Sequence, residues 1–371
     1  MRVHGMKISE SIEKLVPYRP GKPIAETQRE FGLQEVIKLA SNENPLGTSP
    51  AVVRALQASL SDLHRYPDPG CYEVVQTVSR LWKIPAAQIV VGNGSNELID
   101  LLVRIFCEPG EAILTFQSAF VAYGVCARAA RVEVIESPLK KDFTPDFTAL
   151  TEELKTNPDI RLVFLPNPNN PTGALADPGE LRRFLELFAN DPHRLLVLDE
   201  AYVEYVRDHK YESGLALLSQ LPRLVVVRTL SKAYGLAGLR VGVLLGPEWV
   251  VQLIHKVRNP FNVNTLAQAA AVAALQDVDF VQRSRTLNSM ELERVEDFLR
   301  QKGVSYIPSQ ANFVLFDTHQ DGESVFQKLL RRGVILRPVG AYGLPQHLRM
   351  SIGLPEENDR ALQALSEVLG W

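Results

Sequence analysis

Cysteine is scarce in this chain. Cys71, Cys107 and Cys126 are the only three in 371 residues, and no two stand in a CxxC pair. That spacing excludes a disulfide framework and a thiolate metal site, and reads as buried thiols in a reducing compartment. Long apolar runs are missing as well: none approaches the roughly 20 residues that a membrane helix needs. Neither sign of charge dominates. Lys and Arg number 40 against 43 Asp and Glu, a formal net charge of −3, so no global attraction to nucleic acid or to an anionic membrane is expected. The opening "MRVHGMKISESIEKL" has no apolar core of a signal peptide, and the expected location is cytoplasmic. Internal repeats and low-complexity segments are absent. At 46% hydrophobic and 22% charged residues, the composition is that of a folded globular protein.

Short β-branched or leucine-rich runs alternate with helical stretches from Ile89 onward: "QIVVGN" then "SNELIDLLVRIF", "EAILTF" then "AFVAYGVCARAA", then "RVEVIE", "RLVFLPN", "RLLVLDEAY", "RLVVVRTL" and "LRVGVLLG". Continuous apolar runs between turn residues fit strands buried on both faces, and the alternation predicts an α/β fold with a mostly parallel sheet flanked by helices. After about Pro260 the rhythm changes. A charged helical stretch from Val278 to Lys302 precedes short strands ("ANFVLFD", "GVILRP", "HLRMSIG") that alternate with helices, the pattern of a smaller α+β domain. The expected division is an N-terminal arm over 1–30, a large domain over 31–260 and a small domain over 261–371.

Three stretches carry chemistry. In "VVVRTLSKAYGLAGLRVG" a buried strand runs into Ser231 and Lys232, and Arg240 follows a small-residue turn. The carboxyl ends of strands are where open α/β sheets place ligands, and a lysine held there loses its proton more easily and attacks carbonyl compounds. In "VVGNGSNELIDLL" a strand gives way to two glycines and then to Ser95 and Asn96, residues suited to cap the next helix. Such an end favours an anion, typically a phosphate. The third glycine of a dinucleotide fingerprint is replaced by Glu97, and no Gly-Lys-Ser/Thr follows. In "LLVLDEAYVEY" an acid ends an apolar strand, which is costly unless it is paired. Asp199 and Ala201 share a face, leaving room for something flat. Asp199 can pair with a protonated ring nitrogen and Tyr202 can bond a phenolic oxygen. A structural or metal-binding aspartate is the other reading, but no second carboxylate cluster completes a metal site. "LPNPNNPTG" adds an extended path, a turn and the amide of Asn170 at the mouth of the sheet.

The strings "NPNNPTG", "DEAY" and "TLSKAYGLAGLR", in this order, resemble the fold-type-I aminotransferases that use pyridoxal phosphate, and most closely the histidinol-phosphate aminotransferases. The resemblance covers nearly the whole chain through "LVPYRPGKP", "KLASNENPLG", "RYPDPG", "GNGSNELI", "ANFVLF" and "ILRPVGAYGLPQHLRMSIG". It implies pyridoxal 5'-phosphate as cofactor, no metal, and a homodimer with shared active sites.

The same resemblance implies roles. Lys232 is similar to the Schiff-base lysine and proton shuttle, and Asp199 to the carboxylate on the pyridine nitrogen. Asn170 and Tyr202 match the partners of the ring hydroxyl. Gly94, Ser95 and Asn96 resemble the cradle of the cofactor phosphate, completed by Ser231 and Arg240, which the small residues from Gly235 to Gly238 bring back to it. Phe120 in "SAFVAY" falls at the ring-stacking position, with Ser118 where relatives carry proline. Tyr66 matches a tyrosine that reaches the neighbouring subunit's cofactor phosphate. Tyr18 and Asn42 match positions lining the substrate pocket, and Arg349 matches the carboxylate-binding arginine. Apart from the resemblance, Arg337 in "ILRPVG" falls near a strand end of the small domain, as Arg349 does, and a second guanidinium there would suit a substrate phosphate. The expected reaction is histidinol phosphate with 2-oxoglutarate to imidazole acetol phosphate and glutamate. An aromatic or broad-specificity aminotransferase is the alternative, and a phosphothreonine decarboxylase shares the motif set. A transcription regulator with an aminotransferase-like domain would need an N-terminal DNA-binding domain, and the forty or so residues before the first core motif leave no room for one, so that reading is discounted.

Overall fold

The computed structural model describes residues 2–3, 6–13, 15, 21–187 and 191–371. The apolar runs become the strands β1 (Ile89–Gly92), β2 (Ala112–Phe116), β3 (Glu133–Ser137), β4 (Ile160–Pro166), β5 (Leu195–Asp199), β6 (Leu224–Thr229) and β7 (Gly242–Leu245). They form one sheet in the order β1-β7-β6-β5-β4-β2-β3. Every residue of β1, β2, β5, β6 and β7 is buried, as strands covered on both faces require. The edge strand β3 instead keeps Glu133 and Glu136 exposed, a charged edge that resists pairing with other chains.

The sheet is mostly parallel, and β7 is the exception, antiparallel to both β1 and β6. The link from β6 to β7 contains only the short 3-10 turn Ala237–Leu239, with no crossover helix to carry the chain to the opposite edge. It therefore turns back on the edge where β6 ends. That places Lys232 and Arg240 on the same side of the sheet as the tips of β1, β4 and β5.

Helices α1 (Ser95–Phe106), α2 (Val121–Ala129), α3 (Thr265–Gln276), α4 (Val278–Gln301) and α5 (Pro355–Leu369) position the site and the smaller unit. The charged stretch expected to be helical from Val278 is α4, started by Asp277, whose side chain accepts from the Phe280 N–H at 3.1 Å. A second, antiparallel sheet of β8 (Tyr306–Ile307), β9 (Phe313–Asp317), β10 (Arg337–Pro338) and β11 (His347–Ser351) has the order β8-β9-β11-β10. Leu292 and Val295 of α4, Val314 of β9, Met350 of β11 and Leu365 of α5 belong to its core, separate from that of the large sheet.

Residues 37–40 pack with this second unit. Ile37–Lys38 pairs in parallel with Val334–Ile335, and Leu39 and Ala40 lie in the same core. The sequence division had placed them with the large sheet. A two-residue pairing across some three hundred positions leaves no periodic trace. All three cysteines are buried and free. Burial pushes Cys71 up to about 11 and Cys107 and Cys126 up to about 12, so they are inert thiols at neutral pH. Among the described residues, no helix is long and apolar enough to cross a membrane, and no group of three or more His, Cys, Asp or Glu could hold a metal ion.

Candidate active site

The carboxyl ends of β1, β5 and β6 open on a cavity of about 390 Å³. Strand β5 delivers Asp199 as its last residue, and β6 runs into Ser231 and Lys232. Lys232 and Asp199 both line this cavity. So do Asn42, Ser95, Asn96, Phe120, Asn170, Tyr202, Ser231, Arg240 and Arg349.

The Lys232 amine donates to the Ser41 carbonyl at 3.1 Å and lies 5.9 Å from the centre of the Tyr202 ring. Burial, helped by the Arg349 charge, pulls its pKa down to about 8. A lysine in this setting is partly neutral under ordinary conditions, as a nucleophile or base must be. Asp199 is set the opposite way. Burial pushes it up to about 6, opposed by the Tyr123 hydroxyl and the Ala201 N–H. These donate to its two oxygens at 2.6 and 3.1 Å.

The far wall comes from the small sheet. Arg349 of β11 donates to the side-chain oxygen of Asn170 and, at 2.8 Å, to the Ala40 carbonyl. Its guanidinium lies 5.1 Å from the Phe313 ring. Asn42, held at φ 54°, donates its side-chain N–H to the Tyr202 hydroxyl at 2.9 Å. The Asn42 amide oxygen accepts from the Ser351 hydroxyl at 2.8 Å. Burial pushes Tyr202 up to about 12, so its phenol stays protonated. Asn167–Pro168 and Asn170–Pro171 are both cis.

At the opposite end, α1 begins against the cavity. The sequence suggested Ser95 and Asn96 as caps. The cap residue is instead Gly94, at φ 80° and with no side-chain cap bond, and Ser95 is the first helical residue. The departure has a reason in packing. A Cβ on Gly94 would stand 2.8 Å from a guanidinium nitrogen of Arg240, and one on Gly242 would stand 2.3 Å from the Ser95 amide nitrogen. Without those atoms, free helix N–H groups and a guanidinium converge on one spot, an anion site in charge and geometry.

Two of the singled-out residues lie elsewhere. Tyr66 is 82% exposed and stacks on Phe261 at 4.6 Å, outside the cavity lining. Arg337 lines a neighbouring cavity that shares Phe120, Val121, Val125 and Tyr342 with the first. On adjacent strands Arg337 stands directly opposite Arg349, so the two side chains leave the same face of the sheet. Tyr18 lies outside the described residues.

The sequence reading passed over Tyr123, Glu200 and Arg228. Tyr123 follows Phe120 by three positions, and a recurrence at that spacing puts both aromatics on one side of the helix start. Arg228 interrupts an apolar strand, and a buried charge of that kind needs a partner. The partner is Glu200, fully buried, which accepts from Arg228 at 2.8 and 3.0 Å, from Tyr211 at 2.6 Å, and from the Gly214 N–H at 2.7 Å. The ion pair ties the end of β5 to the end of β6, the two strands that present Asp199 and Lys232.

The sequence model of aminotransferase class I and II matches residues 34–365. Histidinol-phosphate aminotransferase from Bdellovibrio bacteriovorus is 49% identical over 98% of each chain. The protein of that name from Methylobacillus flagellatus is 46% identical over 97% of this chain and 96% of its own. Among solved structures, histidinol-phosphate aminotransferase from Sinorhizobium meliloti in complex with pyridoxal-5'-phosphate superposes with a TM-score of 0.89 at 27% identity, covering 98% of each chain. An aspartate aminotransferase from Thermus thermophilus with maleate shares the fold, with a TM-score of 0.84 at 22% identity over 99% of this chain and all of its own.

Proposed function

The chain belongs to the aminotransferase class I and II family, and on that premise we propose that it moves the amino group of histidinol phosphate to 2-oxoglutarate. The products are imidazole acetol phosphate and glutamate, the pathway is histidine biosynthesis, and the cofactor is pyridoxal 5'-phosphate. The observation that carries the reaction type is the meeting of Lys232, Asp199 and Arg349 in one cavity.

The residues present fit the cofactor. A dianionic phosphate suits the start of α1 at Gly94 and Ser95, where a glycine leaves space beside Arg240, with Asn96 and the Ser231 hydroxyl on the same wall. Asp199 supplies the anion for a protonated ring nitrogen, Asn170 and Tyr202 serve the ring hydroxyl, and Phe120 offers an aromatic face. When bound, pyridoxal phosphate supplies an aldehyde for the amine and a ring that accepts an electron pair from the substrate carbon. Lys232 would hold the cofactor, give way to the incoming amine, and as a free base take the proton from the substrate carbon and return it to the carbon on the far side of the amine nitrogen. Asp199 keeps the nitrogen proton in place throughout. Arg349, fixed by Asn170 and the Ala40 carbonyl, orients the anionic end of either substrate.

The donor assignment rests on Arg337 and Arg349. Two like charges directly opposite on adjacent strands repel, and an anion between them reverses the sign of that term. Histidinol phosphate brings a dianionic phosphate, and glutamate brings two carboxylates. Tyr18 adds a hydroxyl in this reading, and Asn42 orients Tyr202 beside the substrate. The proposal extends to a cytoplasmic two-fold homodimer, in which the exposed Tyr66–Phe261 stack is covered and Tyr66 serves the partner's site. Sizing should then return twice the 41.3 kDa chain mass.

The test mixes the purified holoenzyme separately with histidinol phosphate, phenylalanine, tyrosine and glutamate and follows the cofactor's visible absorbance. Histidinol phosphate and glutamate should discharge it fastest. A faster reaction with phenylalanine would give the aromatic aminotransferase first place.

A further inference from the structure

Asp199 is buried and needs to be an anion turned towards the cavity, and what secures both conditions is Tyr123. Its hydroxyl donates to one carboxylate oxygen at 2.6 Å while the Ala201 N–H donates to the other at 3.1 Å. The phenol has little freedom. Tyr123 is fully buried, stacks nearly parallel on Phe164 at 4.7 Å, and meets Phe120 edge-on at 5.7 Å. Phe164 stands on β4, whose pairing with β5 is in register through Pro166 and Asp199. One strand thus carries the ring that seats the phenol, and its neighbour carries the carboxylate.

We propose that Tyr123 is a positioning residue: its hydroxyl holds Asp199 as an oriented anion, and through Asp199 it sets how tightly a protonated ring nitrogen is bound. The inference rests on the cofactor named above. The physical chain is short. Burial alone favours the neutral carboxyl group. A donated hydrogen bond favours the carboxylate instead, and a bond to a charged group is among the stronger kinds. Burial and the Asp199 charge also push the Tyr123 phenol well above its ordinary range, so it remains a donor wherever the enzyme works. Phe120 and Tyr123 both line the cavity, and Tyr123 is the one bonded to the carboxylate.

Tyr123→Phe removes one oxygen and preserves the stack on Phe164. The measurement is the dissociation constant of cofactor-free protein for two probes: pyridoxal phosphate, and its carbocyclic analogue with carbon in place of the ring nitrogen. Wild type should bind pyridoxal phosphate about ten- to a hundredfold more tightly than the variant, the loss expected for one bond to a charged group. The two proteins should bind the analogue equally, because it gives Asp199 no proton to hold. In the holoenzymes, the ring-nitrogen NMR signal should move towards the unprotonated form in the variant, and kcat should fall more than KM rises. A variant that fails to fold is replaced by Tyr123→His, which keeps a ring donor at the same place and should retain part of the preference. An equal loss for both probes would assign Tyr123 to packing and overturn the inference. Unchanged binding of both would overturn it as well. Wild type that binds neither probe would instead remove the cofactor reading, and this inference with it.

Discussion

Arg349 and Asn170 are joined by a hydrogen bond from guanidinium to side-chain carbonyl. The first stands on β11 of the small sheet, and the second follows β4 of the large one. The group proposed to take the substrate's anionic end is therefore already in touch with the group proposed for the ring hydroxyl. Arg349 is held at a second point by Ala40, in the segment that pairs the N-terminal region with the small unit. A change at either arginine of the β10–β11 pair should register in substrate choice.

Arg337→Ala should lower kcat/KM for histidinol phosphate about ten- to a hundredfold, the range for one lost contact to a charged group. Phenylalanine, which brings only an α-carboxylate for Arg349, should lose far less. Steady-state kinetics with both donors checks this, and equal losses would show that Arg337 does not read the phosphate.

Lys232→Ala should abolish the visible absorbance of the bound cofactor in its lysine-linked form. Transamination should fall by about 10²- to 10⁴-fold from the loss of the proton carrier, with the covalent link lost as well. An absorbance scan and a single-turnover assay suffice, and near-normal turnover would contradict the assigned role.

The lowered pKa of Lys232 gives a pH signature in cofactor-free protein. The fold disfavours the charged amine, so neutral amine accumulates as pH rises through about 8. Capture of pyridoxal phosphate should quicken from pH 7 to pH 9, as the neutral fraction climbs from about a tenth to about nine tenths. The stability cost of burying the ammonium is present in full below about pH 8 and is relieved as pH rises towards the ordinary value of 10.5. Arg349→Gln, which removes a neighbouring cation, should move the capture midpoint upward. A midpoint unmoved in the variant would mean that Arg349 does not depress the amine.

Arg228→Met should cost about 3–5 kcal/mol of stability, because it leaves Glu200 buried and unpaired. The double variant Arg228→Met, Glu200→Gln should recover part of that, since the glutamine still accepts from the Gly214 N–H. Urea unfolding of the holoenzymes measures both. A cost near zero would mean that the pair does not hold the ends of β5 and β6.

The parts of this molecule legible in its sequence are those written locally. Nearly unbroken apolar runs marked the inner strands, because full burial permits no alternation, whereas the edge strand β3 keeps Glu133 and Glu136 exposed. Lys232 and Asp199 stood out because charge at the end of such a run is expensive without a use. What escaped depends on distance along the chain. Glu200 and Arg228 are neighbours in space and 28 positions apart, and neither string names the other. The reversal of β7 follows from a missing crossover helix, which a pattern of apolar runs does not register. Gly94 displaced Ser95 as the cap because Arg240 occupies the adjoining space, a fact of packing across 146 residues. Tyr66 looks the same in sequence whether its target lies in its own chain or in a partner's.

The glycines of "AYGLAGLRVG" are spelled alike and constrained very differently. A Cβ at Gly235 would stand 2.2 Å from the Gly47 carbonyl oxygen, at a φ of 69°, and one at Gly242 would strike the Ser95 nitrogen, whereas Gly238 has nothing within 4 Å. Saturation mutagenesis would find two locked letters and one open one. A library that varies position 238 alters the turn ahead of Arg240 at little structural risk, while one that varies 235 or 242 spends its members on unfolded chains.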